Sequence, residues 1–310
     1  MSASYVGLDV GGTFLKGAVV STDGEVQARL HQPVARDSAE ALLSQLASAT
    51  TQLETGAAPA AGIGVGLPGI VNRRTGKLYR PPNLPVIDGI DAAEELTRRT
   101  GRPAIAENDA NAAALAEAWK GAGRDAVHVL LVTLGTGIGG GIVLGGRIWE
   151  GASGYAGEIG HIQVDPGGVR CGCGSRGCVE TFAGAPGWAR RAQEALAHSL
   201  HSRLHGLSLD PAVIVEAARA GDEVALAVVD GAAMALGVAV GAALNLLNLD
   251  RVVIAGGVAA AGPFLLDRIV EHTRKRIFPH VFADCSFRLA ELGGDAGVVG
   301  AARAAMLALP

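Results

Sequence analysis

The stretch YVGLDVGGTFLKGAVVSTDGEVQAR, Tyr5 to Arg29, decides how the rest of the chain is read. Runs rich in β-formers (YVGLDV, TFLKGAVV, EVQAR) are separated by Gly11-Gly12 and by Ser21-Thr-Asp-Gly24. Such punctuation predicts three successive antiparallel strands joined by tight turns. The plan returns from His128 to Trp149, where HVLLVTL, GTGIGG, GIVLGG and RIW again read as strand, glycine turn, strand, turn and strand. Two similar halves, each opening with a glycine-turned meander, are therefore predicted from internal comparison alone.

Helices and strands alternate between and after the meanders. Asp37-x-x-Glu40 has the form of a capping box before Leu42, Leu43, Leu46, Ala49 and Leu53, which share one helix face, and Gly56 reads as the stop. AGIGVGLPG (61–69) reads as a buried strand running into a loop, Asp91 to Thr100 as a capped helix closed by Gly101, and Pro103 to Ala106 as a short strand. A third helix starts within Asn108–Asn111 and runs to Lys120. After a loop-rich stretch (151–177) come helices to Leu249, the apolar strand RVVIAGGV (251–258), another helix, the strand FRLAEL and a last helix from about Ala296. A meander followed by α/β crossovers, twice, predicts a two-lobed α/β protein. The small lobe is expected over 1–116, completed by the helix 297–310, and the large lobe over 117–296.

Composition narrows the function. The 310 residues are 18% charged with a net charge of -4, so no basic surface for nucleic acid is expected. The first residues lack a basic segment followed by an apolar core, which predicts no secretory signal and a cytoplasmic setting. Val224 to Leu249 is almost free of charge and contains Gly237-x-x-x-Gly241, but Asp230, Asn245 and Asn248 interrupt it and no basic flank orients it. It reads as a buried core helix, not a membrane span.

Two hairpins and one cysteine cluster carry the chemistry. Asp9-Val-Gly11-Gly12-Thr13 and Gly135-Thr136-Gly137 each lie between two strands. Glycine there admits positive φ and lets backbone N–H groups approach an anion, and the threonine hydroxyls add donors to phosphate oxygens. Either turn alone also reads as a plain tight hairpin. Gly135-x-Gly137-x-x-Gly140 has the letters of a dinucleotide fingerprint, but that motif must open a helix, and GIVLGGRIW alternates like a strand. Of four cysteines, Cys171, Cys173 and Cys178 fall within eight residues, with His161 upstream and Cys285 far away. Three thiolates and an imidazole complete a tetrahedral zinc site with no vacant position, a structural metal; the alternative is a set of unligated buried thiols.

The motifs together resemble a known family. Asp9 to Thr13, Gly135-Thr136-Gly137 and Ala255-Gly256-Gly257 look like the two phosphate motifs and the adenosine motif of the actin-like ATPase (duplicated ribonuclease H-like) and sugar-kinase fold. The run C-x-C-G-x-x-G-C-x-E ending at Glu180, with Glu158-Ile-Gly-His161, Asn108-Asp109-Ala-Asn111, Gly66-Leu-Pro68-Gly69 and Asn83-Leu84, resembles the signature of the ROK family of bacterial sugar kinases and repressors. Phe14 and Val179 depart from the commoner residues of that family. The resemblance implies ATP held by Asp9, Gly11, Gly12, Thr13, Gly135, Thr136, Gly137, Gly256 and Gly257, with Asp9 helping to hold hydrated Mg2+. It implies a hexose held by Gly69, Asn83, Asn108, Asp109, Glu158, His161 and Glu180, with His161 shared between sugar and structural Zn2+. Asp109, in the first turn of its helix, becomes the catalytic base, ionised at neutral pH under the helix dipole; taken alone it also reads as a helix cap, a role open to Asn111 as well. The implied reaction is phosphorylation of a hexose at its 6-hydroxyl. Glucose fits the glucokinase-like E-x-G-H and zinc run, N-acetylmannosamine kinases share the motifs, and a dimer or tetramer is common in the family. Repressors of the family need an N-terminal helix-turn-helix segment, for which the start at Asp9 leaves no room.

Overall fold

A computed structural model describes residues 3–55, 58–82 and 84–309. Gly56 and Asn83 lie outside the described residues. In chain order the elements are β1 (Ser4–Val10), β2 (Phe14–Ser21), β3 (Val26–Pro33), α1 (Ala39–Leu53), β4 (Gly62–Leu67), the short β5 (Ile70–Val71) and β6 (Leu78–Tyr79), α2 (Ala92–Thr100), β7 (Ala104–Asn108), α3 (Asp109–Lys120), β8 (His128–Leu134), β9 (Ile138–Leu144) and β10 (Arg147–Ile148). They continue with α4 (Glu180–Ala183), α5 (Ala185–Leu196), α6 (Pro211–Arg219), α7 (Glu223–Leu247), β11 (Arg251–Ala255), α8 (Pro263–Arg274), α9 (Pro279–Ala283), β12 (Ser286–Leu289) and α10 (Ala296–Ala308).

The strands build two sheets of the same order, β3-β2-β1-β4-β7 and β10-β9-β8-β11-β12. β1, β2 and β3 run antiparallel, whereas β4 joins β1, and β7 joins β4, in parallel. Likewise β10 is antiparallel to β9, while β8, β11 and β12 are parallel. The repeated glycine-turned meander of the sequence thus reappears as a repeated α/β topology.

The chain folds as two compact units, Met1–Val127 with Gly141–Gly157 and Glu291–Pro310, and His128–Gly140 with Glu158–Ala290. The division differs from the one drawn at 116/117. Glu117, fully buried, is the physical reason: its carboxylate accepts the N–H groups of Ala122 at 2.8 Å, Leu292 at 2.8 Å and Glu291 at 3.1 Å, tying the chain on either side of those positions to α3. Arg73 does the same for the segment after β10, through its N–H to Ser153 O at 3.1 Å and its guanidinium to Glu150 at 2.9 Å.

In the first unit, one face of the sheet buries Val6, Leu8, Ile63 and Val65 against Leu42, Leu46 and Leu53 of α1 and Leu96 of α2. The other face buries Ala18 and Val20 with Val298, Val299 and Ala302 of α10. α10 lies so close to the sheet that a Cβ on Gly64 would sit 1.8 Å from Ala301 O. Small residues on both partners are what allow that contact. α1 is capped by Ser38, whose Oγ accepts the Ala41 N–H at 3.1 Å. The cap therefore falls one residue later than the Asp37 capping box predicts; either side chain can accept at such a position, and local sequence does not separate them. α2 is capped by Asp91 and closed by left-handed Gly101, as its letters predict.

In the second unit α7 is the long apolar helix. It is long and apolar enough to cross a membrane, yet 67% of its most apolar window is buried within the fold. Gly237 serves packing here: a Cβ on it would lie 2.6 Å from His272 Cβ of α8.

Candidate active site

β7 ends and α3 begins at the Asn-Asp pair. Asn108, not Asn111, is the N-cap: its Oδ1 accepts the N–H groups of Ala110 at 2.9 Å and Asn111 at 3.1 Å. Its Nδ2 donates to Gly69 O at 2.8 Å and to Asp109 Oδ1 at 3.1 Å. The Asn108 amide is thereby committed to holding the Gly66–Gly69 loop and Asp109. Gly69 has a φ of 106, and a Cβ there would meet Tyr79 O at 2.9 Å.

Asp109 Oδ1 also accepts the Ala110 N–H at 2.8 Å. The side chain reaches solvent, but protein crowds it, and this desolvation pushes the carboxyl up to about 6, with the Asp9 charge adding to the rise. The helix start is therefore outweighed by burial: Asp109 is still mostly ionised at neutral pH, though by a narrower margin than its helix position suggests. Asp9 is itself raised by burial and lowered by Lys16, which faces it in the β1–β2 register. The start of α10 presses on it, since a Cβ on Gly297 would lie 2.3 Å from Asp9 Oδ2.

Beneath this pair lies Glu107, which the sequence reading passed over. It is 3% exposed, pairs with Arg73, and accepts N–H groups from Asn108 at 2.8 Å and from the Asn111 amide at 3.0 Å. Burial raises its carboxyl and Arg73 lowers it. Its place next to Asn108-Asp109 at the end of a strand was the available signal. Asn111 Oδ1 is buried with no partner among the described residues.

In the second unit, a 3-10 turn at Ile159–His161 brings Glu158 and His161 to one side, with His161 Nε2 3.8 Å from Glu158 Oε2. His161 Nδ1 points the other way, 3.6 Å from Cys171 Sγ, and Cys173 Sγ lies 3.7 Å from Cys178 Sγ. All four donor atoms lie within 4.8 Å of one another. A tetrahedron with ordinary zinc bond lengths has S–S edges of about 3.8 Å and S–N edges of about 3.6 Å, so the donor set fits that ion. Gly177 is forced by the wrapping of the loop: its φ is 58 and a Cβ would fall 1.7 Å from Asp165 O. Without a cation, burial pushes the Cys178 thiol up to about 12; a bound divalent ion reverses that balance.

Glu180 opens α4 directly after the cysteine loop. Its Oε2 accepts the Ile138 N–H at 3.1 Å, and its Oε1 lies 4.0 Å from Cys171 Sγ. Burial raises Glu158, His161 lowers it, and the nearby Glu180 charge raises it further.

Neither hairpin uses positive φ: Gly11, Gly12, Gly135 and Gly137 all stay outside that region, contrary to expectation. What Gly137 provides is space, because a Cβ on it would lie 2.5 Å from Glu180 Oε2. In the second turn Gly135 N–H donates to Gly137 O at 3.0 Å, and the N–H groups of Thr136 and Gly137 have no hydrogen-bond partner among the described residues. In the first turn Gly11 N–H donates to Phe14 O at 3.0 Å, and Thr13 is exposed. Gly256 does require its glycine, with a φ of 92 and a Cβ position 2.3 Å from Leu134 O.

A cavity of about 320 Å3 with mostly apolar walls lies in this unit, lined among others by Gly135, Ala185, Pro211, Val215, Gly257 and Ala261. Apolar walls of this kind are common in pockets for organic ligands, and Gly135 of the second turn forms part of the lining. Gly135 and Gly257, expected beside ATP from the family resemblance, line it together with Pro211 and Val215 of α6, which the sequence did not single out, since an amphipathic helix does not announce what its face covers.

Comparison with known proteins follows the same lines. The profile of the ROK family matches residues 5–307. The chain is 43% identical to a glucokinase of Halalkalibacterium halodurans, over 96% of this chain and 93% of that protein. A ROK hexokinase crystal structure from Thermus thermophilus is 34% identical, with a TM-score of 0.88 and 98% of each chain covered. A ROK family glucokinase from Streptomyces griseus, solved in complex with glucose and AMPPNP, is 31% identical with a TM-score of 0.81, covering 98% of this chain and 100% of that one.

Proposed function

Because this chain belongs to the ROK family, we propose that it is an ATP-dependent hexose kinase that transfers the γ-phosphoryl group of ATP to the 6-hydroxyl of glucose. The observation that carries the reading is the Gly135–Ile138 turn: it leaves two backbone donors without a partner among the described residues, borders the apolar cavity through Gly135, and bonds through Ile138 to Glu180. A polyphosphate with an organic base and a polyhydroxylated partner are the ligands such a turn suits.

On this reading Gly256 and Gly257 let the chain pass close to adenosine. Thr136 and Gly137 donate to phosphate oxygens, as do Gly11, Gly12 and Thr13 of the first turn. Glu158, His161 and Glu180 bind sugar hydroxyls with Gly69, Asn83 and the Asn108-Asp109 pair; carboxylates that a bound sugar covers reject the wrong epimer by being left unpaired. Asp109 accepts the proton of the 6-hydroxyl as it attacks, and Asn108 holds it in place. Mg2+ beside Asp9, when bound, neutralises charge on the phosphates. His161, Cys171, Cys173 and Cys178 hold Zn2+ as a structural ion, and leave His161 Nε2 turned toward Glu158. Three thiol ligands suit a reducing compartment, and we place the enzyme in the cytoplasm as a homo-oligomer.

The test is ADP release across glucose, mannose, N-acetylglucosamine, N-acetylmannosamine and fructose. Glucose is expected to give the highest kcat/KM. Preference for N-acetylmannosamine would overturn the sugar assignment, and turnover of none of them would overturn the kinase reading.

A further inference from the structure

Glu180 and the second phosphate turn are held together by more than one contact. At one end of the turn, Ile138 N–H donates to Glu180 Oε2 at 3.1 Å, and Ile138 is 5% exposed. At the other end, Ala185 N–H donates to Gly135 O at 3.0 Å. Between them, a Cβ on Gly184 would fall 2.9 Å from Thr136 O, so the backbone just beyond α4 passes against the middle of the turn. The turn and the helix that carries Glu180 therefore form one packed piece.

We propose that the Gly137–Ile138 step is a positioning element for the sugar: the Ile138 N–H aims the Glu180 carboxylate, and the absent side chain of Gly137 leaves the space that carboxylate occupies. The inference rests on the proposed function, which makes Glu180 a sugar ligand and the turn a phosphate cradle. A phosphate drawn onto the free N–H groups of Thr136 and Gly137 pulls on the same backbone that orients Glu180. Nucleotide and sugar are thereby coupled, and the coupling is reciprocal: each ligand changes the other's affinity by the same factor.

Gly137 isolates the effect. Any Cβ there meets the far end of a flexible side chain, 2.5 Å from Oε2, so the carboxylate gives way and the backbone stays. Gly137→Ala thus misaims Glu180 without touching it in the sequence. The Thr136 side chain has no hydrogen bond to Glu180, so Thr136→Ala serves as the comparison within the same turn.

The experiment is calorimetric titration of glucose into wild type, Gly137→Ala and Thr136→Ala, each with its zinc content measured, without nucleotide and with saturating Mg·AMPPNP. Gly137→Ala is expected to weaken glucose binding about tenfold without nucleotide and to abolish the shift that AMPPNP causes in wild type. Thr136→Ala is expected to keep its nucleotide-free glucose affinity within about twofold while weakening AMPPNP. Should Gly137→Ala fail to fold, hydrogen exchange at the Ile138 amide decides: Glu180→Ala is expected to speed it at least about tenfold. Equal glucose affinities in wild type and folded Gly137→Ala, or unchanged Ile138 exchange in Glu180→Ala, overturns the inference. Wild type that binds no hexose would instead fail the proposed function, and the exchange measurement would still judge the Glu180–Ile138 bond.

Discussion

Replacing Asp109 by Asn is expected to make the protein more stable at neutral pH while removing most of its turnover. Asn keeps an oxygen for the Ala110 N–H and the Asn108 amide, which Asp109 Oδ1 now accepts at 2.8 and 3.1 Å. What changes is the charge. The folded carboxyl titrates at about 6, raised chiefly by desolvation, against about 3.9 in an unfolded chain. A raised folded value means that the native state binds more protons between those limits, so stability falls as pH rises through that window and stays lower above it. The full shift corresponds to about 3 kcal/mol; because Asp109 reaches solvent, screening reduces this to about 1 kcal/mol, or about 2 °C in Tm for units of this size. Thermal unfolding of wild type and Asp109→Asn at pH 7.5, 5 and 4 reads it directly. The variant should melt higher at pH 7.5, and its advantage should shrink by about half at pH 5 and nearly vanish at pH 4. A variant less stable than wild type at pH 7.5, or an advantage that does not depend on pH, would refute the assignment of a desolvated, ionised Asp109.

Three further outcomes are expected. The kcat/KM of wild type for the hexose should fall about tenfold for each pH unit below about 6 as Asp109 takes up a proton, a dependence read from initial rates between pH 5 and 8; a flat profile there contradicts Asp109 as the base. Cys173→Ala should lose zinc by elemental analysis, melt lower, and bind glucose more weakly, because His161 and Glu180 lose the loop that fixes them; a metal-free variant with wild-type Tm and sugar affinity contradicts the structural reading. Glu107→Gln should cost about 1 kcal/mol in denaturant unfolding, since it removes one of the two carboxylates that pair with Arg73 and leaves Glu150 at 2.9 Å, and should lower kcat by weakening the bond from the Asn108 N–H that Glu107 accepts at 2.8 Å.

Much of this arrangement could be read from the letters. The two meanders were legible because strand alternation and glycine turns are local signals, and the clustering of His161, Cys171, Cys173 and Cys178 because three cysteines within eight residues leave few other readings. What stayed hidden depends on contacts across the chain. Glu117 moves the boundary of the first unit because one carboxylate binds N–H groups 5 and about 174 residues away. Gly137 looked like a positive-φ glycine, but its role is set by Glu180, which is 42 residues beyond the amide of Ile138. Ser38 took the cap from Asp37 because neighbouring polar residues compete for one site. Asp109 was expected under the helix dipole alone, and burial, which has no letter in the sequence, sets its titration instead.

The central claim is best tested by the chemical identity of the product. Phosphorus NMR of a reaction of the wild-type enzyme with glucose, ATP and Mg2+ should show glucose 6-phosphate and ADP forming in equal amounts, and neither with Asp109→Asn on the same timescale. Inorganic phosphate and ADP without a sugar phosphate, or phosphorylation at the anomeric hydroxyl, would contradict the account.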